Sequence, residues 1–292
     1  MTWLSSPAHH RWLEQETDRL LDFGRAARLA SGGFGWLDTS GRVEEGRPTE
    51  LWITCRMTYV FSLGALLGRP GCGGLVDHGL AALDGLFRDA EHGGWFATVG
   101  DGAGAQAQEK GAYPHAFVIL STASAAAAGR PGARELLDEA LEVSLRHFWD
   151  DDAGMVVESW DRAFTVSEPY RGVNANMHTV EAYLAAADVT GDVAWLERAA
   201  RIVERVVHEL AAGNDWRIPE HFDADWQPLM DYNADTPAHP FRPYGATVGH
   251  WLEWARLTLH TRAGFAVVGH EREIGRKFNQ WLDVVTMQLL FG

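Results

Sequence analysis

The stretch FRPYGATVGHWLEW, from Phe241 to Trp254, leaves a loop rich in proline and aspartate and opens an amphipathic helix. His250 and Glu253 lie three residues apart in it, so a helix places both side chains on one face. Arg242 and two tryptophans accompany them. An imidazole, a carboxylate, a guanidinium and flat aromatic rings are the groups that a polyhydroxylated substrate needs. The alternative is a histidine buried on an aromatic helix face.

Outward from this stretch, the chain reads as a succession of helices separated by short loops marked by glycine or tryptophan. The spacing of apolar residues predicts helices at about 9–29, 49–67, 74–90, 112–128, 133–148, 176–189, 194–212 and 246–260. Hairpin-like stretches near residues 36, 95, 155 and 217 recur about every 60 residues, the length of two helices with their connections. Helix pairs at this period predict an all-α toroid with a central cavity.

Residues 263–292 differ in pattern from the rest of the chain. Between Glu271 and Leu290 an apolar stripe recurs at helical spacing, formed by Ile274, Phe278, Trp281, Leu282, Val285 and Leu289. We therefore expect a partial helical barrel over residues 1–262 and a divergent helical tail over 263–292, about nine helices in all. An incomplete ring exposes apolar helix faces, so a homo-oligomer is also expected.

Composition excludes several classes of partner. The net charge of −15 argues against binding to nucleic acid or to anionic lipid, both of which require positive charge. The two cysteines, Cys55 and Cys72, belong to no metal-type cluster, and a reducing, cytoplasmic setting fits them. No signal peptide or membrane span is apparent. No HExxH spacing, phosphate loop or dinucleotide fingerprint occurs, so neither a metal nor a cofactor is expected.

Four segments together carry a resemblance to a known family. They are CRMTYVFSLG (55–64), EKGAYPHAFVIL (109–120), GVNANMHTVEAYLAA (172–186) and FRPYGATVGHWLEWARL (241–257). In this order the sequence resembles the N-acylglucosamine 2-epimerase superfamily, and within it the branch of aldose–ketose isomerases that act on mannose or sulfoquinovose. The likeness runs from about residue 5 to about residue 262. It implies an (α/α)6 barrel of twelve helices, of which this chain would form an incomplete version.

The resemblance also implies a set of site residues. His250 and His178 would be the catalytic residues, with Glu253 orienting His250 or bonding to the sugar. Substrate hydroxyls would contact Arg56, Tyr113, Asn174 and His178, Met177 would shape the pocket floor, and Arg242 would grip the polar end of the substrate. Apart from the resemblance, purely structural roles are also open: Arg56 could form an ion pair with an acid such as Glu50, and Asn174 could cap its helix.

The expected reaction interconverts a free aldose and a 2-ketose, of the D-mannose/D-fructose type, through a cis-enediol. Neutral histidine suits the removal of the C2 proton, and a cation beside O1 and O2 would stabilise the developing negative charge. A 2-epimerase acting on N-acylglucosamine or a free aldose needs the same groups, but it returns the proton to the opposite face. The monosaccharide is thus the expected partner, whichever of the two reactions occurs.

Two further functions stay open at this stage. The resemblance implies a second catalytic histidine near the chain end, which the sequence after Arg262 does not match, and His270 stands there in a different context. A shortened chain could therefore be a catalytically impaired sugar-binding remnant. A glycoside hydrolase or lyase would instead need two carboxylates that flank the scissile bond. Its candidates are Glu158, Asp161, Glu168 and Glu220.

Overall fold

The structure is a computed structural model that describes residues 6–100 and 108–263, together with the backbone of 266–277 and 280–288; side chains are described as far as residue 259. Eight α-helices occupy the described residues. They are α1 (Pro7–Arg25), α2 (Leu51–Leu66), α3 (Cys72–Ala81), α4 (Ala112–Ala127), α5 (Ala133–Val143), α6 (Val173–Thr190), α7 (Val193–Val203) and α8 (Val248–Ala263). Single π-helical turns extend α3, α5 and α7 over 82–86, 144–148 and 204–210. All eight helices that the sequence predicts before the tail are present.

The even-numbered helices form an inner layer and the odd-numbered helices an outer one. The segments that become α2, α4 and α6 are rich in apolar residues around most of their circumference, so these helices are buried on several sides. Along the inner layer, α2 packs on α4, α4 on α6, and α6 on α8. By contrast, α5 and α7 each bury one stripe and pack outside α4 and α6. The burial pattern thus follows directly from the two kinds of apolar spacing.

Short strand pairs fasten the start of three of the four inner helices. Strands β1 (Thr49–Glu50), β3 (Lys110–Gly111) and β7 (Arg171–Gly172) directly precede α2, α4 and α6 and start 61 residues apart (49 to 110, 110 to 171). Their antiparallel partners are β2 (Thr98–Val99), β6 (Ser159–Trp160) and β8 (His221–Phe222); β4 (Trp149–Asp150) and β5 (Met155–Val156) form a further hairpin. The predicted repeat of about 60 residues is therefore present as a repeat of structure.

Close backbone packing sets the distance between α2 and α3. A Cβ atom added to Gly79 would lie 1.9 Å from Oγ1 of Thr58, so only glycine fits between these helices. The contact belongs to one large apolar core shared by both layers. Cys55 and Cys72 are buried in this core as free thiols. Within residues 6–100 and 108–263, no helix has the length and apolar character needed to cross a bilayer.

The tail does not form the predicted helix. Strands β9 (Ala266–Lys277) and β10 (Gln280–Gln288) pair as an antiparallel hairpin instead. The segment contains Gly269 and Gly275, which disfavour a helix, and the neighbouring β-branched pairs Val267–Val268 and Val284–Val285, which favour strands. The apolar stripe therefore did not predict the secondary structure of the tail. Phe278 and Leu289 of that stripe lie outside the described residues, and so does the side chain of His270.

Candidate active site

The amino-terminal turns of the four inner helices surround a cavity of about 500 Å³. Its wall is formed by Arg56, Tyr59, Tyr113, Phe117, Leu120, Asn174, Met177, His178, Glu181, Pro240, Phe241, Pro243, Thr247, His250 and Glu253. We call it the histidine cavity. Seven of the eight predicted site residues line it, and they come from all four sequence motifs. Arg242 is the exception.

His250 lies in the first turn of α8 and is half-buried. Its Nδ1 is 3.1 and 3.2 Å from the two carboxylate oxygens of Glu220, a buried residue directly before β8. Burial acts to lower the pKa of His250, but the hydrogen bond and charge of Glu220, with a contribution from Glu253, raise it above its ordinary value. The pairing therefore favours the protonated form of the imidazole.

His178 lies on α6, also with a glutamate partner. Its Nδ1 is 3.4 Å from Oε2 of Glu181, one helical turn further along, and its ring packs against those of Phe117 and Tyr113. Burial acts to raise the pKa of Glu181, but the hydrogen bonds from His178 and Arg256 lower it to about 2. Glu181 is thus an ionised partner whose charge is shared between a histidine and an arginine.

Arg56 is held by aromatic rings. Its guanidinium lies 4.2 Å from the ring centroid of Phe117 and 5.7 Å from that of Trp52, and Nη2 is 3.5 Å from the hydroxyl of Tyr113. Among the described residues Arg56 has no carboxylate within ion-pair distance, so the expected alternative of an ion pair with Glu50 is wrong. Burial raises the pKa of Tyr113, although the charge of Arg56 acts to lower it. Stacking leaves N–H donors of Arg56 available at the cavity wall.

Asn174 and Met177 line the histidine cavity from the first turns of α6. No side-chain cap is formed at the start of this helix. Instead the side-chain oxygen of Asn176 accepts a hydrogen bond from the backbone N–H of Val156. Its amide nitrogen donates to the carbonyls of Val156 and Gly172. Asn176 therefore ties α6 to β5, whereas Asn174 forms no cap and lies on the cavity wall.

Glu253 does not orient His250 through a hydrogen bond, since Nδ1 of that histidine is bonded to Glu220. Its carboxylate accepts from Arg256 at 3.3 Å. His178, Glu181 and Glu253 offer ligand atoms within 4.8 Å of one another, a spacing at which a metal ion could be held. Arg256 already supplies positive charge to both carboxylates at 3.3 Å, which disfavours a cation there.

The sequence profile of the family described as N-acylglucosamine 2-epimerase (GlcNAc 2-epimerase) matches residues 32–279. The chain belongs to this family. A D-mannose isomerase from Thermobifida fusca is 54% identical over 261 residues, which are 89% of this chain and 64% of the relative. One from Pseudomonas cannabina pv. alisalensis is 49% identical over 281 residues, 96% of this chain and 66% of the relative. The chain thus spans just under two thirds of the length of these relatives.

Solved structures agree with the family assignment. The crystal structure of a D-mannose isomerase superposes with a TM-score of 0.81 at 28% identity, covering 88% of this chain and 67% of that one. A cellobiose 2-epimerase from Spirochaeta thermophila shares the fold, with a TM-score of 0.66 at 20% identity and coverage of 89% and 72%. The predicted fold class, a helical toroid of the (α/α)6-barrel type, and the predicted membership of the N-acylglucosamine 2-epimerase superfamily are both confirmed.

In this member of the family, Arg242 lines a second cavity of about 420 Å³. We call it the arginine cavity; it shares Tyr113, Asn174 and Phe241 with the histidine cavity and is otherwise formed by Glu50, Trp52, Ala97, Glu109, Gly111, Pro114, Glu158, Ser159, Glu168, Tyr232, Asn233, His239 and Arg242. Arg242 forms two hydrogen bonds to Glu168, at 2.7 and 2.9 Å, and its guanidinium lies 4.1 Å from the ring centroid of Tyr170. It therefore fixes the loop that carries it, and its predicted contact with the substrate stays a prediction.

Glu158 is the second carboxylate beside Arg242, at 3.6 Å. Burial raises its pKa to about 7, although the charge of Arg242 acts to lower it. Burial acts in the same sense on Glu168, but the hydrogen bonds from Arg242 and Ser159 outweigh it, and the pKa of Glu168 is lowered. Of the other hydrolase candidates, Glu220 pairs with His250 and Asp161 bonds within its own turn to Thr165.

Sequence reasoning missed Glu181 and Phe117 as cavity residues and gave Glu220 a different role. Glu181 had a usable signal, because it follows His178 at the three-residue spacing that was used for His250 and Glu253. Glu220 had none, because thirty residues and a loop separate it from His250. Phe117 reads as an ordinary core residue, and only the structure shows its ring against Arg56.

Proposed function

We propose that this protein is an aldose–ketose isomerase that interconverts D-mannose and D-fructose through a cis-enediol. The observation that carries the proposal is the meeting of His250 and His178, each bonded to a glutamate, in one cavity lined by residues of all four motifs. The names of the relatives that share about half of its residues supply the substrate. A cavity of about 500 Å³ is large enough for an open-chain hexose.

His250 is the proposed base. Its Nδ1 is engaged by Glu220, which leaves Nε2 to take the proton from C2 of the open-chain aldose. The C2–H electron pair becomes the C1–C2 double bond of the enediol as the aldehyde oxygen gains a proton. Return of the proton to C1, with loss of the proton from O2, completes the ketose. One histidine on one face of the sugar therefore suffices for isomerisation.

Arg56 and Tyr113 are the proposed stabilisers of charge on O1 and O2. The guanidinium is fixed by Phe117 and Trp52 before substrate arrives, so little reorganisation is needed in the transition state. Asn174 supplies a further donor or acceptor for a hydroxyl, and Met177 forms an apolar part of the wall. These roles account for the predicted substrate contacts on three of the four inner helices.

His178 is the proposed second acid/base group, acting on the ring oxygen and on O1 during ring opening. Its partner Glu181, whose pKa is lowered to about 2, accepts at Nδ1 and orients the ring in the cavity. Glu253, on the same wall, is proposed to accept a hydrogen bond from a sugar hydroxyl.

We further propose a reducing, cytoplasmic setting, which the two buried free thiols support. We also propose that copies of the chain associate, which the exposed Val248, Leu252 and Leu259 on α8 support.

A proton NMR time course of D-mannose in heavy water tests the proposal. We expect loss of the C2 proton signal and growth of fructose signals, and neither with His250→Ala. Glucose as the first product would instead identify a 2-epimerase. Binding of mannose, measured by tryptophan fluorescence, without exchange of the C2 proton would contradict the proposal and identify a sugar-binding protein. Absence of both binding and exchange with every aldohexose would also contradict it.

A further inference from the structure

Glu220 connects the two helices that carry the cavity histidines. Its backbone carbonyl accepts a hydrogen bond from Val173, the first residue of α6, at 3.2 Å. Its side chain accepts from the backbone N–H of Thr247, directly before α8, at 3.2 Å. Both of its carboxylate oxygens also lie within hydrogen-bond distance of Nδ1 of His250. One buried residue therefore sets the start of both helices.

The hydrogen bond to Nδ1 has a chemical consequence. A carboxylate only accepts, so Nδ1 of His250 carries a proton and donates it, and in the neutral ring the basic lone pair is then on Nε2. The N–H of Thr247 is one of the unpaired donors at the start of α8, and a buried carboxylate beside it is favoured by the helix dipole. Glu220 is thus held by the start of α8 in the position where it orients the ring.

The other charged and titratable groups around His250 act in different ways. They are Glu253 on α8, His178 and Glu181 on α6, Arg56 on α2, Tyr113 on α4 and His221 on β8. His221 is engaged elsewhere, because its two ring nitrogens bond the hydroxyl of Tyr170 and the carbonyl of Pro243. Glu253 acts on His250 through charge alone. None of these groups has a hydrogen bond to the imidazole; within the described side chains that bond comes from Glu220.

We propose that Glu220 is a positioning residue that holds His250 in the Nδ1–H tautomer, with Nε2 toward the substrate. This inference rests on the proposed function for its role in catalysis, but its structural part is independent of turnover. Glu220→Gln keeps the shape and can still accept the Nδ1 hydrogen bond, yet it removes the charge. Glu220→Asp keeps the charge on a shorter side chain. The exposed Glu197→Gln on α7 is the matched control for loss of one carboxylate.

The main readout is the ring of His250, observed by NMR on the full chain labelled with nitrogen-15 histidine and assigned by comparison with His250→Ala. In the unaltered protein we expect the Nδ1–H tautomer and a titration midpoint above the ordinary 6.5. In Glu220→Gln the midpoint falls, because burial remains while the partner charge is lost. The midpoint in Glu220→Asp lies between those of the unaltered protein and Glu220→Gln, and Glu197→Gln leaves the midpoint unchanged.

Kinetics supply the second readout. We expect Glu220→Gln to lower kcat for mannose about 10- to 100-fold, the usual effect of losing an orienting partner, with KM within about twofold. The acidic limb of the pH profile moves to lower pH, in step with the NMR midpoint. An unchanged tautomer and midpoint in Glu220→Gln overturn the proposal, even if kcat falls. A shifted midpoint in a protein that never turns over mannose supports the positioning and refutes only the proposed function.

Discussion

The histidine cavity and the arginine cavity share three wall residues, yet they use charge in different ways. In the histidine cavity each imidazole has one glutamate, and Arg56 is held by aromatic rings without a carboxylate among the described residues. In the arginine cavity, Glu158 and Glu168 surround the guanidinium of Arg242. The first arrangement leaves protons and donors free to act on a ligand, whereas the second consumes them in fixing a loop. Similar residue types therefore serve the proposed catalysis on one side of Phe241 and fix a loop on the other.

The largest expected effect is the loss of the base in the histidine cavity. His250→Ala should lower kcat for mannose isomerisation by about 10²- to 10⁴-fold, the range for a general base. The thermal midpoint should change little, because the side chain is only partly buried and borders a cavity. Initial rates by NMR and a melting curve measure both. His10→Ala, exposed on α1, is the control. A loss of less than tenfold would contradict the assignment of His250.

His178→Asn tests whether the second histidine pair is equally important. We expect kcat to fall about 10²-fold and ring opening to become limiting, because the acid that assists it is lost. A substrate that exists largely in open-chain form should then be less affected than mannose. Equal losses for both substrates would show that His178 only binds. Glu181→Gln should give about a tenfold smaller defect, since the histidine itself remains.

Arg242→Gln tests the arginine cavity as structure. Removal of the guanidinium leaves Glu158 and Glu168 facing each other without their cation, and we expect a loss of about 3 kcal/mol in the free energy of unfolding. Urea titration measures this. Arg242→Lys should recover only part of it, because an ammonium cannot form the paired hydrogen bonds to Glu168. A large fall in mannose affinity with unchanged stability would instead support the sequence-based prediction of a substrate contact.

The smallest effects concern the pH dependence of stability. Glu158 has a raised pKa of about 7, so its contribution is most favourable below the ordinary value of 4.5 and is lost as pH rises toward 7. Glu158→Gln should remove a decline of about 2 kcal/mol over this interval. Glu168 has a lowered pKa, so its contribution is present above 4.5 and is lost on acidification. Relative to the unaltered protein, the melting temperature of Glu158→Gln should therefore rise between pH 4 and pH 8, and that of Glu168→Gln should fall. Melting curves at pH 4, 5.5 and 8 measure both changes; changes of the same sign would contradict both assignments.

The sequence was informative wherever a single helix carries the evidence. The eight helices before the tail follow from apolar spacing, and four motifs suffice to bring Arg56, Tyr113, His178 and His250 to one cavity because each lies near the start of an inner helix. Long-range pairs were not accessible in this way. Nothing in the sequence links Glu220 to His250 or Arg242 to Glu168, since loops of unknown path separate them. In the tail, helical spacing competed with strand-forming residues, and the strands formed.

The ring of Phe241 stands between the two chambers, in edge contact with Trp52 at 6.1 Å and tilted against Tyr113 at 5.6 Å between ring centroids. Phe241 and Tyr113 are the two aromatic residues that line both cavities. Replacing Phe241 with alanine would remove a half-exposed ring from this shared wall. The size of the sugar that the histidine cavity admits would then depend on a loop residue outside the two helices that carry the histidines.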